Sequence, residues 1–379
     1  MPKREKLPDD LKELCSLCRS GKLFAVQQWI RDGKRYRLPP GNFATSPLRT
    51  AIDCGFHSLV EVLLQVHAAT ADEKNDALYY AVDNRNLDLI ELLAKYGADP
   101  RKIDSETVFW SRHPAIIRWF IANGMDLESG YPIAKAFANK QREFLGIYMD
   151  LRDRIPTACP QATMALRHHV AKGNLKWVSL LLWAGADPRM RVPQLDDQDA
   201  AEEDYGAALV DAVRHGHLEI VKKMIDPARD DLTALLNEYC FSPNPELIKF
   251  LLSLGADARA GIEDRSAMHC AFSAFEWSLD PVFSYNFYSR TEPALHCIEV
   301  LAANGARWAP KDPYRISCLR RALAKAAPHD AVRYLQRITK AGAIEPPMFR
   351  ELMRTPKMKE ILKHSCLGVV QLRRYADSR

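Results

Sequence analysis

No uninterrupted apolar run approaches 18 residues in this 379-residue sequence, so no membrane-spanning helix is expected. The first 15 residues carry charge but no apolar core of signal-peptide length. Motifs that carry chemistry are equally scarce. There is no phosphate-cradling glycine loop, no Gly-x-Ser-x-Gly elbow and no His-Glu-x-x-His pair. Carboxylates are dispersed rather than paired, so neither catalysis nor a cofactor is expected. Nine cysteines (15, 18, 54, 159, 240, 270, 297, 318 and 366) lack framework spacing, and an odd number cannot all pair. Free, buried thiols in a reducing, cytoplasmic setting are the expectation. Cys15 and Cys18 stand three apart, but no second Cys-x-x-Cys or His pair completes a zinc site, so no metal is expected.

What is present is the composition of a packed chain, with 47% hydrophobic and 9% aromatic residues. The net charge of +5 is unevenly placed: from Arg307 onward 17 Lys or Arg face 6 Asp or Glu, a surplus of +11, which leaves residues 1–306 at −6. A length of 379 residues would suggest two or three domains, unless the chain is a stack in which each unit touches only its neighbours.

Leu166 to Pro188 shows such a unit. Two apolar segments, Leu166 to Ala171 and Val178 to Trp183, flank a Lys172-Gly173-Asn174 break, and Gly185-Ala186-Asp187-Pro188 ends the second. Leu180, Leu181, Leu182 and Trp183 are expected in the core. Leu78 to Pro100 repeats the layout around Asn84-Arg85-Asn86 and Gly97-Ala98-Asp99-Pro100. Further copies break at Cys54-Gly55-Phe56 and His215-Gly216-His217-Leu218, and others end at Gly255-Ala256-Asp257 and Gly305-Ala306. Ser46-Pro47-Leu48-Arg49-Thr50-Ala51 opens one copy and Ser266-Ala267-Met268-His269-Cys270-Ala271 another.

These residues resemble the ankyrin repeat, with its Thr-Pro-Leu-His-x-Ala opening, a Gly at the interhelical turn and Gly-Ala-Asp after the second helix. Ser46 replaces the Thr and Arg49 the His. The resemblance covers roughly residues 8 to 343. It implies an all-α ankyrin-repeat solenoid over residues 1–343, of about nine or ten divergent repeats, followed by a helical C-terminal cap over 344–379. Residues 8 to 33 read as the first repeat. Worn copies are expected at Thr107 to Leu127 and around Ile133 to Phe137 and Phe144 to Met149. The 88 residues from Gly97 to Gly185 suit neither two nor three repeats of about 33, so compressed repeats are expected there.

Two insertions interrupt the pattern. One, about 190–206, holds six carboxylates within Gln194 to Tyr205 and no cation; it reads as a solvated loop or as a contact for a basic partner. The other, about 273–291, holds six aromatics, including Phe275, Trp277, Phe283 and Tyr285. These either pack locally on lengthened helices or anchor a partner. The pairs His168-His169 and His215-x-His217 invite a metal reading, but a hydrogen-bonded structural histidine is expected at His169.

Ankyrin proteins are recognition scaffolds that use hairpin tips and first-helix faces lining a groove. The resemblance implies partner-binding positions counted from each interhelical break: Thr50 and Asp53, Tyr80 and Asp83, His168 and Lys172, Asp211 and Arg214, with Phe275, Trp277, Phe283 and Tyr285 as aromatic anchors. The implied function is a non-enzymatic scaffold for another protein, acting as adaptor or inhibitor of an associated effector, alone or within a hetero-complex and without a membrane role. A different reading is nucleic-acid binding through the basic end, with Arg315, Arg320, Arg321, Lys325, Arg333 and Arg337, together with Lys340, Arg373 and Arg374, as phosphate contacts. No recognised nucleic-acid-binding motif accompanies them.

Overall fold

The computed structural model describes residues 8–34, 46–66, 69–195, 205–238, 243–261, 266–280, 290–308, 313–354 and 356–363, with residues 372 and 375. The chain divides into two compact units, residues 1–165 with 184–186, and residues 166–183 with 187–379.

The first unit begins with helix pairs α1 (Asp9–Arg19) and α2 (Leu23–Arg31), α3 (Pro47–Asp53) and α4 (His57–Val66), and α5 (Ala71–Asp83) and α6 (Leu87–Lys95). Helices α3 and α5 start at side-chain caps. The Ser46 hydroxyl accepts from the Arg49 amide at 2.9 Å, and Pro47 follows where a missing N–H costs nothing. Thr70 and Glu73 form a reciprocal capping box. The same spacing gives buried faces: Leu48, Ala51 and Ile52 in α3, Leu59, Val60, Leu63 and Leu64 in α4, and Ala77, Leu78, Ala81 and Val82 in α5. First helices pack in series, α1 on α3, α3 on α5, and α5 on α7 (Ser105–Trp110). Full burial of each Leu, Ile or Val contributes about 1.5–3 kcal/mol.

The turn between paired helices follows one rule. The turn residue two beyond the first helix bonds back three positions and its successor five, as Gly55 N to Ile52 O and Phe56 N to Ala51 O. This geometry puts the turn residue in the left-handed region, hence Gly55 at φ 71°. Three successive turns depart from glycine: Arg85, Arg112 and Lys140 adopt φ of 55°, 52° and 60°. Each costs about 1–2 kcal/mol relative to glycine.

Residues 97 to 185 hold three helix pairs: α7 with α8 (Pro114–Ala122), α9 (Pro132–Ala138) with α10 (Leu145–Leu151), and α11 (Ala158–Ala171) with α12 (Leu175–Trp183). Compression is achieved by helices of six or seven residues in α7, α9 and α10. An aromatic cluster fills the space that longer aliphatic faces occupy elsewhere. Phe109 meets Phe144 edge-on at 4.7 Å, and Phe137 meets Tyr148 at 5.1 Å. Burial pushes the Tyr148 hydroxyl up to about 12. Helix α9 has no side-chain cap of its own, and Tyr131 before it is left-handed. The fully buried Gln161 of α11 replaces the cap: its Oε1 accepts from Ile133 N at 2.9 Å and Ala134 N at 3.4 Å, while Nε2 donates to Leu127 O and Thr157 Oγ1.

In the second unit the pairs are α13 (Ala208–Arg214) with α14 (Leu218–Met224), α15 (Leu232–Asn237) with α16 (Pro245–Ser253), α17 (Ala267–Leu279) with α18 (Thr291–Ala303), and α19 (Pro313–Lys325) with α20 (Pro328–Lys340). With six pairs before them, ten pairs are present among the described residues. Helices α21 (Pro346–Leu352) and α22 (Pro356–Lys363) then cover α19 and α20, burying Phe349, Leu352 and Met358, and Leu372 is buried as well.

The structure corrects three of the four core expectations in α12, since Leu180 and Leu182 are half-buried and Trp183 is exposed. Of Leu180 to Trp183 only Leu181 is fully enclosed, and Trp183 is 64% exposed. The position two before the terminal glycine faces solvent in its counterparts too, Lys95, Ala122, Ser253 and Ala303. Offset from that glycine, not hydrophobicity, sets its exposure.

Candidate functional site

Counting back from each interhelical turn aligns the first helices residue by residue. In the first unit, the position two before the turn holds Asp53, Asp83 and Trp110, all exposed. Asp53 receives Arg49 Nε at 2.6 Å and, from the next repeat, Asn84 Nδ2 at 3.3 Å. The Arg49 guanidinium lies over the Tyr80 ring, and Tyr80 meets Tyr79 edge-on at 5.3 Å. Thr50 is half-buried and donates its hydroxyl to Ser46 O at 3.0 Å. The result is one contiguous face in which the Arg49–Asp53 pair neutralises itself. Tyr79, 43% exposed, and Trp110, 50% exposed, remain as its large apolar groups.

Trp110 and Tyr79 are missing from the sequence-based set. Trp110 was findable: it stands two before Arg112 as Asp53 stands two before Gly55, once Ser111-Arg112-His113 is recognised as a turn without glycine. Its Nε1 donates to Glu106 at 3.4 Å, and the Arg112 guanidinium lies 6.0 Å from its ring.

In the second unit the same register gives a different picture. Lys172 is exposed at its turn, but His168 is buried edge-on against His169. His169 is fully enclosed and stacked on Trp177 at 5.3 Å, a structural position in the interior. Asp211, expected to face a partner, is instead engaged with the Arg167 guanidinium at 2.6 Å, with side chains 12% and 6% exposed. Arg167 also donates to Val192 O, in a two-stranded hairpin where β1 (Arg191–Val192) pairs antiparallel with β2 (Gly206–Ala207). A side chain at Gly206 would meet that guanidinium at 2.7 Å, so a larger residue there would have to displace the Arg167 head group. The acidic insertion begins and ends at this hairpin; its residues 196–204 lie outside the described set. Arg214 is half-buried and binds Glu238 through two nitrogens, at 2.5 and 3.0 Å.

Lengthened helices absorb part of the aromatic insertion, since α17 and α18 run to 13 residues each. Phe275, expected as an anchor, is a core residue: it is fully enclosed and meets Tyr334 edge-on at 5.5 Å. Trp277 keeps 38% of its surface. Phe283 and Tyr285 lie outside the described residues. Beside Trp277, Glu276 is pushed up to about 8 by burial, against the lowering pull of Arg315 and Arg321.

The basic end is largely engaged within the chain. Arg337 binds Glu299 at 2.7 Å and Glu292 at 2.5 Å, Arg333 binds Glu292 at 3.1 Å, and Lys325 binds Asp280 at 3.1 Å. Arg320 donates to Glu351 O, and Arg321 to the Cys318 thiol while lying over Tyr314. Arg315 is half-buried near Glu276, Lys340 is exposed, and Arg373 and Arg374 lie outside the described residues. Cys15 and Cys18 are buried in α1, where burial pushes the Cys18 thiol up to about 12. Among the described residues no group of three or more His, Cys, Asp or Glu is placed to hold a metal ion, and no helix is long and apolar enough to cross a membrane.

The paired helices and left-handed turns make an all-α fold consistent with a solenoid of divergent ankyrin repeats. Residues 14–104 match the family model for ankyrin repeats, in three copies. Among curated proteins, the chain is 28% identical over 242 residues to the ankyrin repeat and KH domain-containing protein mask-1 of Caenorhabditis elegans, covering 58% of this chain and 9% of that protein. It is also 28% identical over 219 residues to the ankyrin repeat and KH domain-containing protein CBG24701 of Caenorhabditis briggsae, covering 54% of this chain and 8% of that one. The chain thus spans under a tenth of the length of these relatives.

Proposed function

We propose that the chain is a non-enzymatic, cytoplasmic scaffold that binds a partner protein through the first-helix face of α3, α5 and α7. Ankyrin repeats generally mediate protein–protein interaction. The observation that carries the reading for this chain is the exposed pair Tyr79 and Trp110 on adjacent helices, beside an internally neutralised Arg49–Asp53 couple. Aromatic groups of this kind, ringed by polar ones, dominate interface energetics. Thr50, Asp53, Tyr80 and Asp83 form the polar surround; Lys172, Arg214 and Trp277 are further exposed or half-exposed contacts in the second unit. Ion pairing of Lys325, Arg333 and Arg337 speaks against the basic end as a phosphate-binding surface, because those charges already have carboxylate partners.

The experiment is affinity purification of the full chain from its native cells, with the Trp110→Ala and Tyr79→Ala variants in parallel. Both truncate exposed side chains, so folding is expected to survive. Recovery of a partner with the parent and its loss with Trp110→Ala supports the reading; undiminished recovery with both variants contradicts it.

A further inference from the structure

We propose that the turn ridge of the first unit, carrying Arg85, Arg112 and Lys140, binds an extended acidic peptide segment of the partner. This deepens the proposed function and rests on it. All three residues are exposed and occupy the left-handed turn position that glycine fills at Gly21 and Gly55. Solubility alone does not account for them, since a charge can be placed on any exposed helical position without backbone strain. Where a non-glycine residue takes this conformation, Asn and Asp are the enriched types, yet here the three are cations. None of the three has an ion pair with a carboxylate among the described residues, unlike Arg49 or Arg118 in the same unit.

The turns form a continuous edge. The Phe56 ring lies 2.8 Å from where a side chain on Gly21 would start, and Asn84 reaches back to Asp53 at 3.3 Å. Helices α5, α7 and α9 pack in series, so the three cations recur at the helix-stacking interval of about 8–10 Å. A peptide in the extended polyproline II conformation rises about 3.1 Å per residue with three residues per turn, so carboxylates at every third residue share one face and recur at about 9 Å, one to each cation. Exposed Asp83 and Asp88 flank Arg85 in the sequence, and exposed Glu143 follows Lys140. Carboxylates so near the turn cations disfavour a uniformly charged phosphate backbone more than a peptide whose carboxylates are spaced apart. Trp110, next to Arg112, supplies an apolar contact between charges.

The test uses the full chain on an array of random 12-residue peptides, with a single-stranded oligonucleotide of mixed sequence as competitor. The variant restores glycine at all three turns: Arg85→Gly, Arg112→Gly and Lys140→Gly. Because glycine relieves the left-handed strain, this variant is expected to melt no lower than the parent, so loss of binding is not loss of fold. The expected result is that peptides bound by the parent are enriched in Asp or Glu at three-residue spacing, that 0.5 M salt releases them, and that the variant binds them about tenfold or more weakly. A bound set without acidic enrichment, or equal binding by the variant, overturns the inference. So does displacement by the oligonucleotide alone. If the variant still recovers the cellular partner as the parent does, the ridge is excluded while the scaffold reading stands; if the parent binds neither array nor cellular partner, both fall.

Discussion

At the scale of single residues, the informative side chains reach across the sequence to satisfy a backbone that local residues leave open. Gln161 bridges to Leu127, Ile133 and Ala134 from a fully buried position. Replacing it by Leu strips α9 of its substitute cap and leaves buried polar groups unpaired, so equilibrium denaturation should show a loss of about 2–3 kcal/mol. Such partners, 27 to 34 residues away, leave no trace in a hydrophobic pattern. For that reason the sequence placed Asp211 on a partner-facing surface when its partner is Arg167, 44 residues upstream. Removing one member of this pair, as in Asp211→Asn, uncovers a buried guanidinium and should cost about 3–5 kcal/mol in the same measurement. Glu276 provides the pH test. Its carboxyl is held up to about 8 in the folded chain, above the ordinary value of 4.5, so the folded state binds the extra proton between those values. Stability is therefore full below about pH 4.5 and falls as pH rises through about 8. Glu276→Gln should flatten that dependence in urea titrations between pH 5 and 8.5; an unchanged slope contradicts the assignment.

At the scale of elements, the sequence was legible wherever a helix opened with a capping residue and closed at a glycine. Pairs α3 to α6 and α11 to α14 fall close to where motif and periodicity put them. Legibility failed at helix ends and in compressed repeats. Trp183 is apolar yet stands at an end position that points to solvent, and Phe275 sits on a lengthened helix whose inner face the periodicity did not resolve. Turns lacking glycine hid the register of α7 and α9, and with it Trp110. Those turns also make an element-level expectation: Lys140→Gly alone should raise the thermal midpoint by a few degrees, because it removes about 1 kcal/mol of left-handed strain.

At the scale of the whole molecule, the ten helix pairs among the described residues rely on their neighbours, so stability is distributed rather than held in one core. Phe349, Leu352 and Met358 close the last pair, so ending the chain at residue 345 should expose the apolar flank of α19 and α20 and promote association, read by light scattering. The resemblance in the sequence implied this architecture. Which side chains are exposed on the first-helix face depended on three-dimensional register. The most direct test of the central claim is site-specific photocrosslinking in native cells, with a photoreactive phenylalanine analogue placed in turn at Trp110, Tyr79, Glu91 and Arg118. Glu91 and Arg118 are exposed controls on the second helices α6 and α8. The expected result is a discrete protein adduct from Trp110 and Tyr79 and none from Glu91 or Arg118; the same adduct from the second-helix positions, without one from Trp110 or Tyr79, would contradict a first-helix binding face.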